Sequence, residues 1–181
     1  MYIRCKGKIM KTVEQIIKEL KARQYESFDQ FYNLTKQQVF YAIISIIKDQ
    51  MLAEDLLQDT YVKFLEKIDQ YKEGSNITAY LSQIGRNLAI NMYNKRKKEI
   101  RSDEIIDQIP SEENETHDDP EILKLLDYLD IKEREVVVLH VINDLTFREI
   151  SEIMEKPLGT VLWIYNKAIK KLKRKVGDTY E

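Results

Sequence analysis

Apolar residues recur along this chain every three or four positions, which is the spacing of amphipathic helices. Thr12 to Gln24 carries Val13, Ile16, Ile17 and Leu20 on one stripe. Phe28 to Ile47 continues with Phe28, Phe31, Tyr32, Val39, Phe40, Ile43, Ile44 and Ile47, a pattern that predicts two helices. From Asp55 to Tyr71, Leu57, Tyr61, Phe64 and Ile68 are spaced four, three and four apart and share one helix face. Tyr71 to Ile77 reads YKEGSNI, where Gly, Ser and Asn break the pattern and predict a loop. Thr78 starts the next helix, with Leu81, Ile84 and Leu88 inward. It ends in the run Asn94 to Lys98, whose cations complement the dipole at a helix C-terminus.

Ser102 to Asp119 lacks aromatic residues, is acidic and leads into Asp119-Pro120, so it reads as a linker. Fully extended it spans at most roughly 60 Å, enough to hold two domains well apart. Four short helices follow it. The first is Glu121 to Leu129. Asp130-Ile131-Lys132-Glu133 is a capping-box-like start for the second, through about Asn143. Its Val136-Val137-Val138 run suits a strand, but the helical flanks and the lack of a partner strand argue for a helix. Thr146-Phe147-Arg148-Glu149 caps the third, with Phe147, Ile150, Ile153 and Met154 inward. After a turn from Glu155 to Gly159, Thr160 caps a fourth helix reaching about Val176. There is no internal repeat.

Composition narrows the class. Only 5 Gly and 3 Pro in 181 residues favour an all-α chain over a turn-rich β fold. With 43% hydrophobic and 33% charged residues it reads as globular and highly charged. The single cysteine, Cys5, excludes an internal disulfide, fits a reducing cytoplasm and reads as an incidental thiol. No apolar run approaches a bilayer span, so membrane insertion is not expected. The basic start is not followed by a signal-peptide core, and Met10 is an alternative start. His117 and His140, with Cys5 elsewhere, give no zinc spacing, and Asp118-Asp119 reads as solvated linker. No phosphate loop and no Ser/His/Asp set stand out, so neither a cofactor, a small-molecule substrate nor enzymatic chemistry is expected.

The net charge of −2 argues against nucleic acid, but its distribution argues for it. Lys156 to Lys175 holds seven basic residues and no acidic one. Arg86 to Arg101 holds six against Glu99, and the acidic linker separates the two. Charge sorted in this way suits separate partners for separate segments. At the C-terminal end, a short capped helix, a turn containing glycine and a basic second helix form a helix-turn-helix pattern. On the second helix Val161, Tyr165, Ala168 and Leu172 share an inward face. Leu162, Trp163, Asn166, Lys167 and Lys170 then point outward, where Asn166 can bond a base and lysines can neutralise phosphates. The alternative is an amphipathic surface helix with a solvated lysine tail.

Several stretches carry a family resemblance. LDIKEREVVVL (129–139), LTFREISEIM (145–154), PLGTV (157–161) and KAIKKL (167–172) resemble region four of extracytoplasmic-function (ECF) sigma factors of the sigma-70 family. AEDLLQDTY (53–61) and AYLSQIGRNLAIN (79–91) resemble region two, and the likeness spans roughly Tyr25 to Val176. The resemblance implies an all-α protein of two small helical domains joined by an acidic linker. Residues 1–24 would be an N-terminal extension with a helix, 25–101 the region two bundle, 102–119 the linker and 120–181 the region four helix-turn-helix domain. It implies a cytoplasmic transcription initiation factor whose partners are core RNA polymerase, promoter DNA and an anti-sigma factor.

The resemblance also assigns residues. Asp55, Gln58 and Asp59 match positions that dock on the polymerase. The loop from Lys72 to Ile77, with Lys72, Ser75 and Asn76, resembles the loop that captures an unstacked base of the minus-ten element. Tyr80, Gln83, Asn87 and Asn91 match positions lining the single strand, with Arg86, Lys95 and Arg96 on its phosphates. Tyr80 stands where the family usually has Trp, and core packing is its alternative role. For the minus-35 element the candidates are Arg148, Thr160, Leu162, Trp163, Asn166, Lys167, Lys170 and Lys171. Here the chain departs from the family pattern: Leu162-Trp163-Ile164 replaces a polar, basic stretch. These side chains meet a thymine methyl, form a patch for a protein partner, or pack on a neighbouring helix. Two rival functions remain on the sequence: a stand-alone helix-turn-helix regulator, and a sigma-like interaction protein that no longer reads DNA.

Overall fold

A computed structural model describes residues 11–102 and 125–177. Cys5, Met10, the linker beyond Ser102 with His117 and Asp118-Asp119, and residues 121–124 of the first expected region-four helix lie outside them. Among the described residues all regular structure is helical.

Helix α1 (Val13–Lys21) begins at a reciprocal capping box. The Thr12 hydroxyl accepts from the Gln15 backbone N–H at 3.2 Å, and the Thr12 N–H donates to the Gln15 side chain at 2.9 Å. Ile16, Ile17 and Leu20 are buried in the same apolar cluster as residues of α2 to α4. Helix α2 (Phe28–Ile47) is one helix, not the two that periodicity predicts. Its polar middle contains neither Gly nor Pro. Buried Thr35 satisfies its hydroxyl locally, donating to the Phe31 carbonyl at 2.9 Å and hydrogen-bonding with the Tyr61 hydroxyl at 2.6 Å.

Helix α3 (Gln50–Glu66) starts before Asp55, because Asp49 caps it by accepting from the Leu52 N–H at 3.0 Å. A 3-10 turn, Ile68–Gln70, follows and buries Ile68. Helix α4 (Ile77–Ser102) starts one residue before Thr78 and continues beyond Lys98. Asn76 caps it, its side-chain oxygen accepting from the Ala79 N–H at 3.2 Å. Gly85 lets α4 cross α2 and α3 closely. A Cβ there would lie 3.0 Å from Ile43 Cγ1 and 3.2 Å from Thr60 Oγ1.

In the second half, helix α5 (Ile131–Val137) starts at the Asp130 capping box. A π turn, Val138–Ile142, continues it, with the Asn143 N–H donating to the Val138 carbonyl at 3.1 Å. The three valines are therefore helical, with burial overriding strand propensity. Helices α6 (Phe147–Ile153) and α7 (Leu158–Gly177) form the helix-turn-helix. Helix α7 begins ahead of Thr160, whose N–H donates to the Pro157 carbonyl at 2.9 Å, so Thr160 sits in the first turn and is not the cap. The left-handed residue of the turn is Glu155, with φ 52°. Gly159 lies inside α7, and a Cβ there would meet nothing within 4 Å.

The two halves are packed together, not held apart as an extended linker would allow. Small residues permit the approach: Ala42 of α2 and Ala79 of α4 join the apolar cluster of Leu139, Leu145, Ile150 and Val161. Polar contacts close the seam. Arg86 of α4 pairs with Glu135 of α5, their side chains 12% and 5% exposed. The Asn143 amide donates to the Gln38 carbonyl at 3.1 Å and to the Ser82 hydroxyl at 3.0 Å.

Candidate nucleic-acid interface

On α3 the core takes Ala53, Leu56, Leu57, Tyr61 and Phe64, which leaves Asp55, Gln58 and Asp59 together on the solvent face. Exposed Val62 lies one turn beyond Gln58 and Asp59 on the same face. An acidic and amide face with an apolar residue beside it suits a basic partner surface.

The loop between the 3-10 turn and α4 presents Lys72, Glu73, Gly74, Ser75 and Asn76 to solvent. Gly74 takes φ 80°, a conformation that favours glycine. Tyr71 closes the loop from beneath: it is buried, and its hydroxyl donates to the Ser75 carbonyl. Tyr80 does not stand free for stacking. Its ring packs edge-on against Phe64 at 6.2 Å and Tyr71 at 5.3 Å, and burial pushes its hydroxyl pKa up.

Along α4, Asn87, Asn91, Lys95 and Arg96 are exposed and Gln83 is half-buried. Asn87, Asn91 and Lys95 follow at intervals of four, a continuous polar edge. Arg96 reaches back to the α3 cap, 3.2 Å from Asp49, and Lys95 lies 3.9 Å from Glu99. Arg86, expected on phosphates, is instead occupied by Glu135. Burial raises the Glu135 carboxyl above the ordinary carboxylate range, and Arg86 offsets this only in part. Asn76 is likewise engaged, donating to Glu149 of α6 at 2.8 Å.

The α7 reading face differs. Thr160, Trp163, Asn166, Lys167 and Lys170 of α7 are exposed, as is Arg148 of α6, and Leu162 is half-buried. Trp163 is 64% exposed, so it does not pack on a neighbouring helix. Lys167 Nζ lies 5.4 Å from its ring centroid. Two lysines are tied inward: Lys167 and Lys171 both bond Glu133, whose side chain is 2% exposed. Burial alone would raise the Glu133 carboxyl. Hydrogen bonds from Lys171, Lys167 and the Asp130 backbone outweigh it and bring it down to about 2. These lysines therefore brace α7 against α5 before they can meet any phosphate.

Sequence reasoning missed Glu133, Glu135, Asn143 and Glu149 as contact residues. Two of them carried a signal, since Glu133 and Glu149 stand at the third helical position of capping boxes. The burial of Glu133, Arg134 and Glu135 in succession had no local signal. His140 stacks on Phe147 at 4.1 Å and bonds the Leu145 carbonyl at 2.8 Å, a packing role.

Comparison with known proteins matches both halves. Residues 31–99 match sigma-70 region 2 and residues 120–172 match sigma-70 region 4. The ECF RNA polymerase sigma factor SigM of Bacillus subtilis is 29% identical over 134 residues, covering 71% of this chain and 82% of that protein. SigW of the same organism is 24% identical over 186 residues, covering 92% and 97%. Among solved structures, the sigma factor RpoE of Bartonella quintana, in complex with the anti-sigma factor NepR, aligns with a TM-score of 0.70 at 24% identity, covering 84% of this chain and 98% of that one. CnrH, in complex with the cytosolic domain of CnrY, aligns at 0.65 and 18% identity, covering 91% and 97%. The two matched regions stand in the expected order and together fill more than half the chain, so it belongs to the sigma-70 family as an ECF sigma factor, a transcription initiation factor.

Proposed function

We propose that this chain docks on core RNA polymerase through Asp55, Gln58 and Asp59 of α3 and presents two separate surfaces to promoter DNA. Lys72, Ser75 and Asn76 in the loop, with Gln83, Arg86, Asn87, Asn91, Lys95 and Arg96 on α4, serve the single-stranded minus-ten element. Arg148, Thr160, Leu162, Trp163, Asn166, Lys167, Lys170 and Lys171 serve the minus-35 duplex. The observation that carries the reading is the pairing of an acidic-amide face on α3 with an exposed aromatic and cationic face on α7 in one chain. The first suits a protein and the second a DNA groove. Trp163 and Leu162 offer apolar contact to thymine methyls where the family pattern has charge.

The packed arrangement of the two halves supports a free chain that reads promoters poorly. Arg86 cannot take a phosphate while Glu135 holds it, and the net charge of −2 gives no general attraction to DNA. Polymerase supplies the missing separation by engaging each half. The site of action is the cytoplasm, with the polymerase; no helix among the described residues is long and apolar enough to cross a membrane. An anti-sigma factor is a further partner, by analogy with the complexes of RpoE and CnrH.

Core polymerase reconstituted with the chain is expected to start transcription at defined promoters. Absence of promoter-specific transcripts sinks the proposal. One base contact is worth ~1–3 kcal/mol, so Trp163→Ala and Asn87→Ala should each lower transcription about tenfold with polymerase affinity unchanged. Harmless changes at both positions would instead favour an interaction protein. Tight binding of the lone chain to a duplex site would favour a stand-alone regulator.

A further inference from the structure

We infer that helix α1 is part of the minus-ten apparatus, with Lys21 and Arg23 as positioning residues for the loop from Tyr71 to Asn76. The inference rests on the reading of that loop as the base trap. Helix α1 precedes the stretch that matches region 2, which begins at residue 31.

The geometry is a chain of contacts from α1 into the loop. Ile16, Ile17 and Leu20 fix the helix to the bundle core, so its C-terminal end is held in place. From there the half-buried Lys21 ammonium donates to the Tyr71 carbonyl at 2.9 Å and lies 3.6 Å from the Glu73 carboxylate. Arg23, left-handed at φ 61°, places its guanidinium 3.1 Å from Asp69 in the 3-10 turn that feeds the loop. Tyr71 carries the constraint onward, because its hydroxyl donates to the Ser75 carbonyl across the loop. The Ser75 N–H donates to the Lys72 carbonyl at 3.1 Å, which closes the turn immediately ahead of Asn76 and the start of α4.

Within the loop, order comes from two hydrogen bonds, Tyr71 hydroxyl to the Ser75 carbonyl and Ser75 N–H to the Lys72 carbonyl, and no side chain from 72 to 76 is buried. Lys72 to Asn76 are all exposed, and Gly74 lowers the cost of other conformations. A trap for an unstacked base needs its walls fixed beforehand, since ordering them on binding subtracts from the affinity. Lys21 is the one α1 residue that meets both the backbone and a side chain of the loop among these contacts. Its ammonium is a multiple donor, so a guanidinium at the same site can keep both partners while a methyl group keeps neither.

The test uses the complete chain reconstituted with core polymerase on a duplex promoter carrying a fluorescent base analogue in the minus-ten element. Lys21→Ala is expected to lower the rate of promoter opening about tenfold, and Lys21→Arg to restore most of it. Polymerase affinity and melting temperature should stay near those of the parent. Amide exchange at residues 72–76 should accelerate in Lys21→Ala and not in Lys21→Arg. Unchanged opening in Lys21→Ala, or a loss that merely follows melting temperature or polymerase affinity, overturns the inference. A paired loop variant, Lys72→Ala with Ser75→Ala, removes two exposed side chains without touching the Asn76 cap of α4 and separates the two levels. If it impairs opening while Lys21→Ala does not, only the brace falls. If neither impairs opening, the base-trap reading falls and takes the brace with it.

Discussion

The two halves of this sigma factor differ in how open their candidate DNA surfaces are. In the second half the α7 face is open, with Trp163, Asn166 and Lys170 in solvent. In the first half Arg86 is bound by Glu135 and Asn76 by Glu149, so its strand-facing surface is partly covered by the other half of the same chain. Charge placement explains the asymmetry. The second half carries buried carboxylates on α5, and they meet cations on both sides: Glu133 takes Lys167 and Lys171 of its own domain, and Glu135 takes Arg86 of the neighbouring one. One helix thus braces α7 and engages Arg86 of the candidate minus-ten surface. Any measured affinity that needs the open form is reduced by the fraction of molecules that are open.

The largest effect is expected from Glu135→Ala. Removing one partner of a buried pair costs ~3–5 kcal/mol because the other charge is left uncompensated. Here Arg86 escapes that cost if the halves part and let it reach water. Small-angle scattering should therefore show a larger radius for the variant, and the free chain should bind a single-stranded minus-ten oligonucleotide more tightly. Unchanged radius and unchanged binding would mean that the pair does not hold the seam.

A second test concerns the α5 to α7 brace. The Glu133 carboxyl is held down at about 2, below its ordinary value. A group depressed in this way stabilises the fold above its unfolded pKa, and that contribution is lost as pH falls through the folded value. Acid titration should therefore loosen the packing of α7 progressively between about pH 4.5 and about pH 2. Glu133→Gln should remove most of that pH dependence, read from exchange at α7 amides. A parent and variant with identical acid profiles would contradict it.

The smallest effects contrast two glycines. Gly85→Ala forces a methyl against Ile43 and Thr60 in the first bundle, which offsets the gain in helix propensity, so the variant should be no more stable than the parent, read as melting temperature. Gly159→Ala on α7 meets open space and should gain about 0.5–1 kcal/mol from helix propensity. The reverse order of the two would mean that the crossing of α4 over α2 is looser than its distances imply.

Most of the helical architecture was legible in the sequence, because it is written in local terms. The Thr146 and Asp130 caps, the inward stripe Val161, Tyr165 and Ala168, and the exposed Asp55, Gln58 and Asp59 all follow from spacing of three or four. The division of Phe28 to Ile47 into two helices failed because a polar middle resembles a break, while the buried bond between Thr35 and Tyr61 that tolerates it is long-range. The same limit applies to the interface. Arg86 reads as a cation for phosphates, and the Glu135 that engages it is 49 residues away in the chain. Tyr80 reads as a stacker with core packing as its alternative, and its half-buried ring meets Phe64 and Tyr71, which only the fold brings to it.

The π turn after α5 has a geometric consequence. Winding Val138–Ile142 with five-residue hydrogen bonds rotates everything after it by a fraction of a turn relative to an α-helix. Asn143 follows directly on that turn, and its amide meets Gln38 and Ser82 across the seam. The clasp between the two halves thus sits where one helix carries surplus length. Deleting a single residue from that turn should move the amide out of register with both acceptors.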